Sequence, residues 1–303
     1  MKYIPSPLLL TAKEVAEFLN RPLLLSGEPG TGKTKFAEFI SENEKRQLFV
    51  FNTKSVSLSK DLFYSYDAIG HFSDKEKNAL EFINIEALGK AIVSAYGTEK
   101  FKQELLNNPT HNYQLSSLRS NPNKKDIIDH FLQGCNDKQS VVLIDEVDKA
   151  PRDFPNDILN EIENLEFEIK ELNFKVSLDK ASKEAKDKIL VLVTSNFEKN
   201  LPEAFLRRCV YHHIEFPAEV DKLKAIINVH INDLDQGDLA SRINEFLEIR
   251  KNPDIQKKPA TSELIDSIKY IAKKNEMGID LRKNKAALFA LLKKNDDLQL
   301  YIA

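Results

Sequence analysis

The chain has 303 residues, enough for one large domain or two medium ones, of which 42% are apolar and 30% charged, with a formal net charge of −3. That balance excludes a global pull toward nucleic acid or an acidic membrane, while a local basic face stays possible. Two cysteines, Cys135 and Cys209, lie far apart and outside any CxxC pattern, which argues against a disulfide framework or a zinc site and for a reducing compartment.

The opening stretch, MKYIPSPLLLT, is too short in its apolar run for a signal peptide. The longest apolar runs, VVLI and ILVLV, suit buried strands and cannot span a bilayer. The expectation is a soluble cytoplasmic protein without a membrane. Residues 8–20 read as a short helix with Val15, Phe18 and Leu19 on one side. Residues 23–25 form a buried strand that runs into a glycine-rich loop, 27–34. A helix follows, with Phe36, Phe39 and Ile40 as its apolar stripe. QLFVFN (47–52), VVLID (141–145) and ILVLVTSN (189–196) are further strands. Continuous apolar runs bounded by polar turns indicate parallel strands with helices on both faces.

The stretch from 52 to 141 is longer than one crossover needs. It holds a helical candidate, KNALEFINIEALGKAIVSAYG (77–97), and a polar stretch at 107–126, and reads as a crossover carrying an insertion. In NLEFEIKELNFKVSL, two alternating runs (Leu165, Phe167, Ile169 and Leu172, Phe174, Val176) predict a β-hairpin at about 165–178. Beyond Pro217 only helical stripes remain: Leu223, Ile226 and Ile227; Ile243, Phe246 and Leu247; Leu264, Ile265, Ile268 and Ile271; then KAALFALLKK. The division is a core of 1–217, with insertions at about 54–140 and the hairpin, followed by a helical domain of 218–303.

GEPGTGKT (Gly27, Glu28, Pro29, Gly30, Thr31, Gly32, Lys33, Thr34) fits the phosphate-loop pattern GxxxxGK[ST]. Its glycines turn backbone N–H groups toward phosphates, Lys33 reaches the phosphate chain, and the Thr34 hydroxyl ligates Mg²⁺. A glycine turn that binds nothing is disfavoured by the strand before the loop and the helix after it. In VVLIDEVD, Asp145 ends an apolar strand, where a carboxylate can hold Mg²⁺ through water, and Glu146 is the better choice for polarising an attacking water. A helix N-cap is the plain alternative. Asn196, at the end of VTSN, can hold that water or a phosphate by its amide; alone it would read as a turn residue. Arg207 and Arg208 form a pair at a helix end, able to stabilise charge on a transferring phosphate. A solvated pair favoured by the helix dipole is the competing reading. DAIG (67–70) and NKKD (123–126) imitate a GTP-switch order. However, Asn123 follows no apolar strand, and that reading leaves LIDEVD, TSN and the helical domain unexplained. His212 and His213 read as strand residues, and the histidines give no metal-ligand spacing.

PLLLSGEPGTGKT, LIDEVDKAPRDFPNDILNEIE, LVTSNFEKNLPEAFLRRCVYHHIEFP and KPATSELID together resemble the MoxR-like branch of the AAA+ ATPases, over residues from about 5 to 275. The resemblance implies a P-loop NTPase three-layer αβα core with a parallel sheet and an all-helical C-terminal lid. It implies ATP and Mg²⁺ bound between neighbours of a homo-oligomeric ring, usually hexameric. Lys33, Thr34, Asp145, Glu146 and Asn196 would then act in cis, and Arg208, with Arg207 beside it, would reach the neighbour's ATP. The hairpin and the insertion match elements that face the pore or client in such rings. The function implied is chaperone-like remodelling, often with a von Willebrand A protein. One departure is that KPATSEL lacks the lid arginine of many relatives; either Lys258, Arg250 or Arg282 substitutes or lid sensing is absent, and the role is assigned to none of them. A nucleic-acid-associated AAA+ motor and a GTP-using ring subunit are the rival readings. The absence of a basic stripe counts against the first, although an assembled pore could differ.

Overall fold

The structure, a computed structural model, describes residues 3–107, 113–178, 183–196, 198–232 and 234–302. Its strands are β1 (Leu23–Ser26), β2 (Gln47–Asn52), β3 (Tyr64–Tyr66), β4 (Ile83–Ile85), β5 (Ser140–Asp145), β6 (Glu166–Ile169), β7 (Phe174–Ser177), β8 (Ile189–Ser195) and β9 (Val210–His213). The helices up to β5 are α1 (Pro7–Leu19), α2 (Lys33–Glu44), α3 (Ala68–Ser73), α4 (Ala87–Tyr96), α5 (Thr98–Asn107), α6 (Tyr113–Ser120) and α7 (Lys124–Phe131). Between β5 and β9 come α8 (Phe154–Asp157), α9 (Leu159–Asn164), α10 (Lys183–Lys186) and α11 (Glu203–Arg208). The chain divides into two compact units, one of Pro7–Ser26 and Ala37–His212, the other of Met1–Ser6, Gly27–Phe36 and His213–Ala303.

In the first unit, a five-stranded parallel sheet runs in the order β2–β5–β8–β1–β9, flanked by helices, which is the fold class that the apolar runs predict. β8 is buried along its whole length and β5 along all but its last residue, as strands covered on both faces must be. The register sets Ser26 beside Ser195 and Asn52 beside Asp145, so four strands end on one edge.

The segment 77–97 does not form one helix. Its first part folds into a 3-10 turn and β4, which pairs antiparallel with β3. The reason is local: Ile83 and Ile85 are buried while Asn84 is exposed, a period of two inside an otherwise helical pattern. Only α4 keeps the helix, and it stops at Gly97, whose positive φ of 98° suits a glycine terminator. Between Gly97 and β5 the chain forms α5, α6 and α7, and 108–112 lie outside the described residues. Asp67 and Asn123, from the two GTP-like tetrapeptides, occupy the N-cap positions of α3 and α7. β6 and β7 pair antiparallel from Glu166–Ser177 to Ile169–Phe174, with Phe167, Ile169, Phe174 and Val176 buried.

The stripe read on α1 is not its packing face. Phe18 is 86% exposed, and Val15 and Leu19 also face solvent. α1 instead buries Leu9, Lys13 and Ala16. Lys13 pairs there with Glu17 at 2.9 Å and Glu44 at 2.6 Å, and Arg46 closes the network on the same two carboxylates. Burial pushes the free thiols of Cys135 and Cys209 up to about 12.

In the second unit, α12 (Val220–His230), α13 (Gln236–Lys251), α14 (Thr261–Lys273), α15 (Lys285–Leu291) and α16 (Asn295–Ile302) surround a core. Leu223, Ile227, Ile243, Phe246, Leu264, Ile268 and Leu288 fill that core. No helix among the described residues is long and apolar enough to cross a membrane.

Two phenylalanines test this division of faces. Phe246→Ala, at a fully buried position, should cost about 3–5 kcal/mol in denaturant unfolding. Phe18→Ala should stay within about 0.5 kcal/mol of the parent. A large loss at Phe18 would mean that the α1 stripe packs after all.

Candidate functional site

β1 leads directly into the loop at 27–34. Gly30 and Gly32 have φ of 77° and 91°, in the left-handed region that side chains avoid. A Cβ at Gly30 would lie 2.6 Å from Ser262 Oγ, and one at Gly32 would lie 2.8 Å from the Tyr3 ring. Thr31 Oγ1 donates to the Glu28 carbonyl at 2.9 Å, which tightens the turn. Lys33 opens α2 and is 6% exposed, and its ammonium donates to the carbonyls of Gly27 and Glu28 at 2.9 Å each. Thr34 follows it in the first turn of α2. Glu28, Pro29 and Gly30 are exposed, and the Glu28 carboxylate pairs with Arg250. Partial burial pushes the Tyr3 phenol up to about 12.

The second group of residues stands at the ends of β5 and β8. Thr194, fully buried, donates its hydroxyl to Asp145 Oδ1 at 2.5 Å and accepts the Glu146 backbone N–H at 2.8 Å. Glu146 is left-handed, with φ 54° and ψ 52°. This conformation turns the chain sharply off the strand and costs about 1–2 kcal/mol for a residue with a side chain. The Glu146 carboxylate accepts from Asn196 Nδ2 at 3.1 Å on one oxygen and pairs with Lys149 on the other. Its hydrogen bond to the Glu146 carboxylate holds the Lys149 ammonium above its ordinary pKa. Asp148, 3% exposed, accepts the backbone N–H groups of Asn196 at 3.2 Å and Glu198 at 3.1 Å, which fixes the chain leaving β8. Asp145, Glu146 and Asn196 thus lie together at the ends of β5 and β8. Thr194, Asp148 and Lys149 complete the group and were not singled out from the sequence. Thr194 and Asp148 stand inside the quoted VTSN and DEVD, but only the parallel register shows that they meet.

Arg207 and Arg208 are not part of that group. They end α11, ahead of β9, whose Val210 N–H donates to the carbonyl of Pro22 at the start of β1. They lie at the opposite edge of the sheet from Asp145 and Ser195. Arg207 pairs with Glu203 one turn back. Arg208 donates to Glu163 at 3.1 Å and to the Ala204 carbonyl at 3.2 Å, and lines a cavity of about 520 Å³ with Arg21 and Lys186.

The family described as "ATPase family associated with various cellular activities (AAA)" matches residues 23–218, more than half of the chain. The chain belongs to the AAA ATPase family. The match begins at β1 and runs past β9. Two crystal structures of NtrX from Brucella abortus, one in complex with ADP, are similar in fold. Each has a TM-score of 0.47 and 12% identity, covering 90% of this chain and 51% of theirs. This AAA ATPase thus spans about half the length of those solved chains. No curated protein matches it in sequence.

Thr194 gives this AAA ATPase a direct test of the strand-end group. Thr194→Val removes the hydroxyl and leaves the Glu146 N–H without its acceptor. A loss of about 1–3 kcal/mol in denaturant unfolding is expected, the cost of a buried unsatisfied polar group. Thr194→Ser, which keeps the hydroxyl, should lose less. Equal losses would show that the methyl and not the hydroxyl matters.

Proposed function

We propose that this AAA ATPase hydrolyses ATP as a homo-oligomeric ring of the MoxR-like kind, usually of six subunits. In this reading it couples hydrolysis to the remodelling or activation of a protein partner, a von Willebrand A protein being the partner type implied. The observation that carries the reading is the pairing of Glu146 with Asn196 at the ends of β5 and β8.

The residues fit a nucleotide. The loop is shaped by left-handed glycines where a Cβ would collide, and its lysine is buried against the loop's own carbonyls. Backbone N–H groups from Gly27 to Thr34 would cradle the phosphates, with the first turn of α2 adding its positive end. Lys33 would leave the two carbonyls for the phosphate oxygens. Thr34 and Asp145 would hold Mg²⁺, which neutralises phosphate charge when bound. Glu146 would orient and polarise the attacking water, taking its proton, while Asn196 keeps that carboxylate and the water in place. Before that, Glu146 must share or give up its pairing with Lys149.

Arg208 supports a ring. It stands a strand's length from its own chain's strand-end group, so a guanidinium acting on phosphate there would come from a neighbouring subunit. Arg207 stands beside it.

Glu146→Gln should bind ATP, with hydrolysis slowed by on the order of 10²-fold or more. Arg208→Ala should bind ATP and lose about 10³-fold in turnover. Mixing the two inactive chains should restore part of the activity, because some sites then join an intact Glu146 to an intact Arg208. Lys33→Ala should lose nucleotide binding itself. Normal hydrolysis by Glu146→Gln would remove that residue from the role. Normal hydrolysis by Arg208→Ala would reduce Arg208 to a solvated helix-end charge.

A further inference from the structure

Glu28 extends a carboxylate from the phosphate loop that the nucleotide reading leaves without a task. The structure gives it one partner of unusual rigidity. Arg250, at the end of α13, is 9% exposed. Its guanidinium lies 3.6 Å from the centroid of the Phe216 ring. Its Nη1 donates to the Pro259 carbonyl at 2.6 Å, and its Nη2 pairs with the Glu28 carboxylate. A planar fork fixed by a ring on one side and a carbonyl on the other loses little freedom when it meets a carboxylate.

The contact is part of a wider one. Two residues along the loop, Gly30 stands so near Ala260 and Ser262 that a Cβ would meet them at 2.9 and 2.6 Å. The same Glu28 receives Lys33 and Thr31 on its carbonyl. Its backbone and side chain are thus both engaged. Of the other arginines in this unit, Arg242 is held by Glu245 and the Ile279 carbonyl, and Arg282 by Asp280 and Glu248.

We propose that Arg250 is a positioning residue for the phosphate loop: by holding Glu28 it keeps the loop's N–H groups arranged for phosphate before a nucleotide arrives. The proposal rests on the reading of 27–34 as a nucleotide site. It differs from a role on the terminal phosphate, because the guanidinium is committed to Glu28 and Pro259. A contact of this kind is present equally in the bound ground state and the transition state. It therefore acts on binding more than on turnover.

The test uses the full chain and compares Arg250→Lys, Glu28→Gln and the double variant with the parent. The readouts are Kd for ATP and for ADP, by a fluorescent nucleotide analogue with competition, together with KM and kcat. Arg250→Lys keeps the charge over Phe216, and Glu28 is half exposed, so both variants should fold; thermal unfolding verifies this. Each single variant should weaken ATP and ADP alike, by about tenfold, the size expected from losing one charge-assisted hydrogen bond. The double variant should be no weaker than either single one, and KM should rise by more than kcat falls. Effects that add in the double variant would overturn the proposal. So would a loss confined to ATP with ADP spared, a loss of kcat with binding intact, or no change in binding at all. If the parent chain itself bound neither nucleotide, the ATPase reading would fall first, a result distinct from each of these.

Discussion

One hydroxyl ties the end of β5 to its neighbour. Thr194, on β8, donates to the last residue of β5 and accepts from the residue after it. That bridge exists only because β5 and β8 run parallel and in register, with Ile144 beside Val193. The left-handed turn at Glu146 depends on it as well, since an unfavourable backbone conformation persists only where its surroundings hold it. Asp148 then fixes the far side of the same turn by receiving the N–H groups that follow β8. The two strand ends are thus bound to each other by several polar contacts, and the acidic pair between them has little freedom of direction.

The phosphate loop is held by different means. Its shape comes from glycines in conformations closed to other residues, and its lysine bonds back to its own carbonyls. The side chain of Glu28 is then received by Arg250, whose position is set by Phe216 and Pro259. Neither group of residues relies on one strong interaction. In each, a charged side chain is oriented by a partner that is itself oriented, which is how a site keeps its geometry without a ligand.

Much of this was legible along the chain where the chemistry is local. The loop pattern, the two fully apolar strands and the alternating hairpin each depend on residues within a few positions of one another. Asp145, Glu146 and Asn196 were legible because strand ends place them. What escaped depends on pairing at a distance. Thr194 meets Glu146 across 48 positions, and Arg250 meets Glu28 across 222. The supposed helix over 77–97 is split because Ile83 pairs with Tyr66 on another strand. On α1, three apolar residues at helical spacing suggested a core face, yet the helix packs through Leu9 and Ala16 with a compensated lysine between them. Periodicity finds the stripe, but it does not say which side the rest of the chain covers.

The burial of Cys135 and Cys209 has a practical side. A thiol reacts as its thiolate, and with both groups pushed up to about 12 that form is scarce at neutral pH, roughly one molecule in 10⁵. Both native thiols should therefore react slowly with maleimides and similar reagents. A cysteine placed on an exposed position of the β6–β7 hairpin, such as Lys175, would stand out against that background. A dye there could follow the hairpin's surroundings in the wild-type cysteine context, without removing either native thiol.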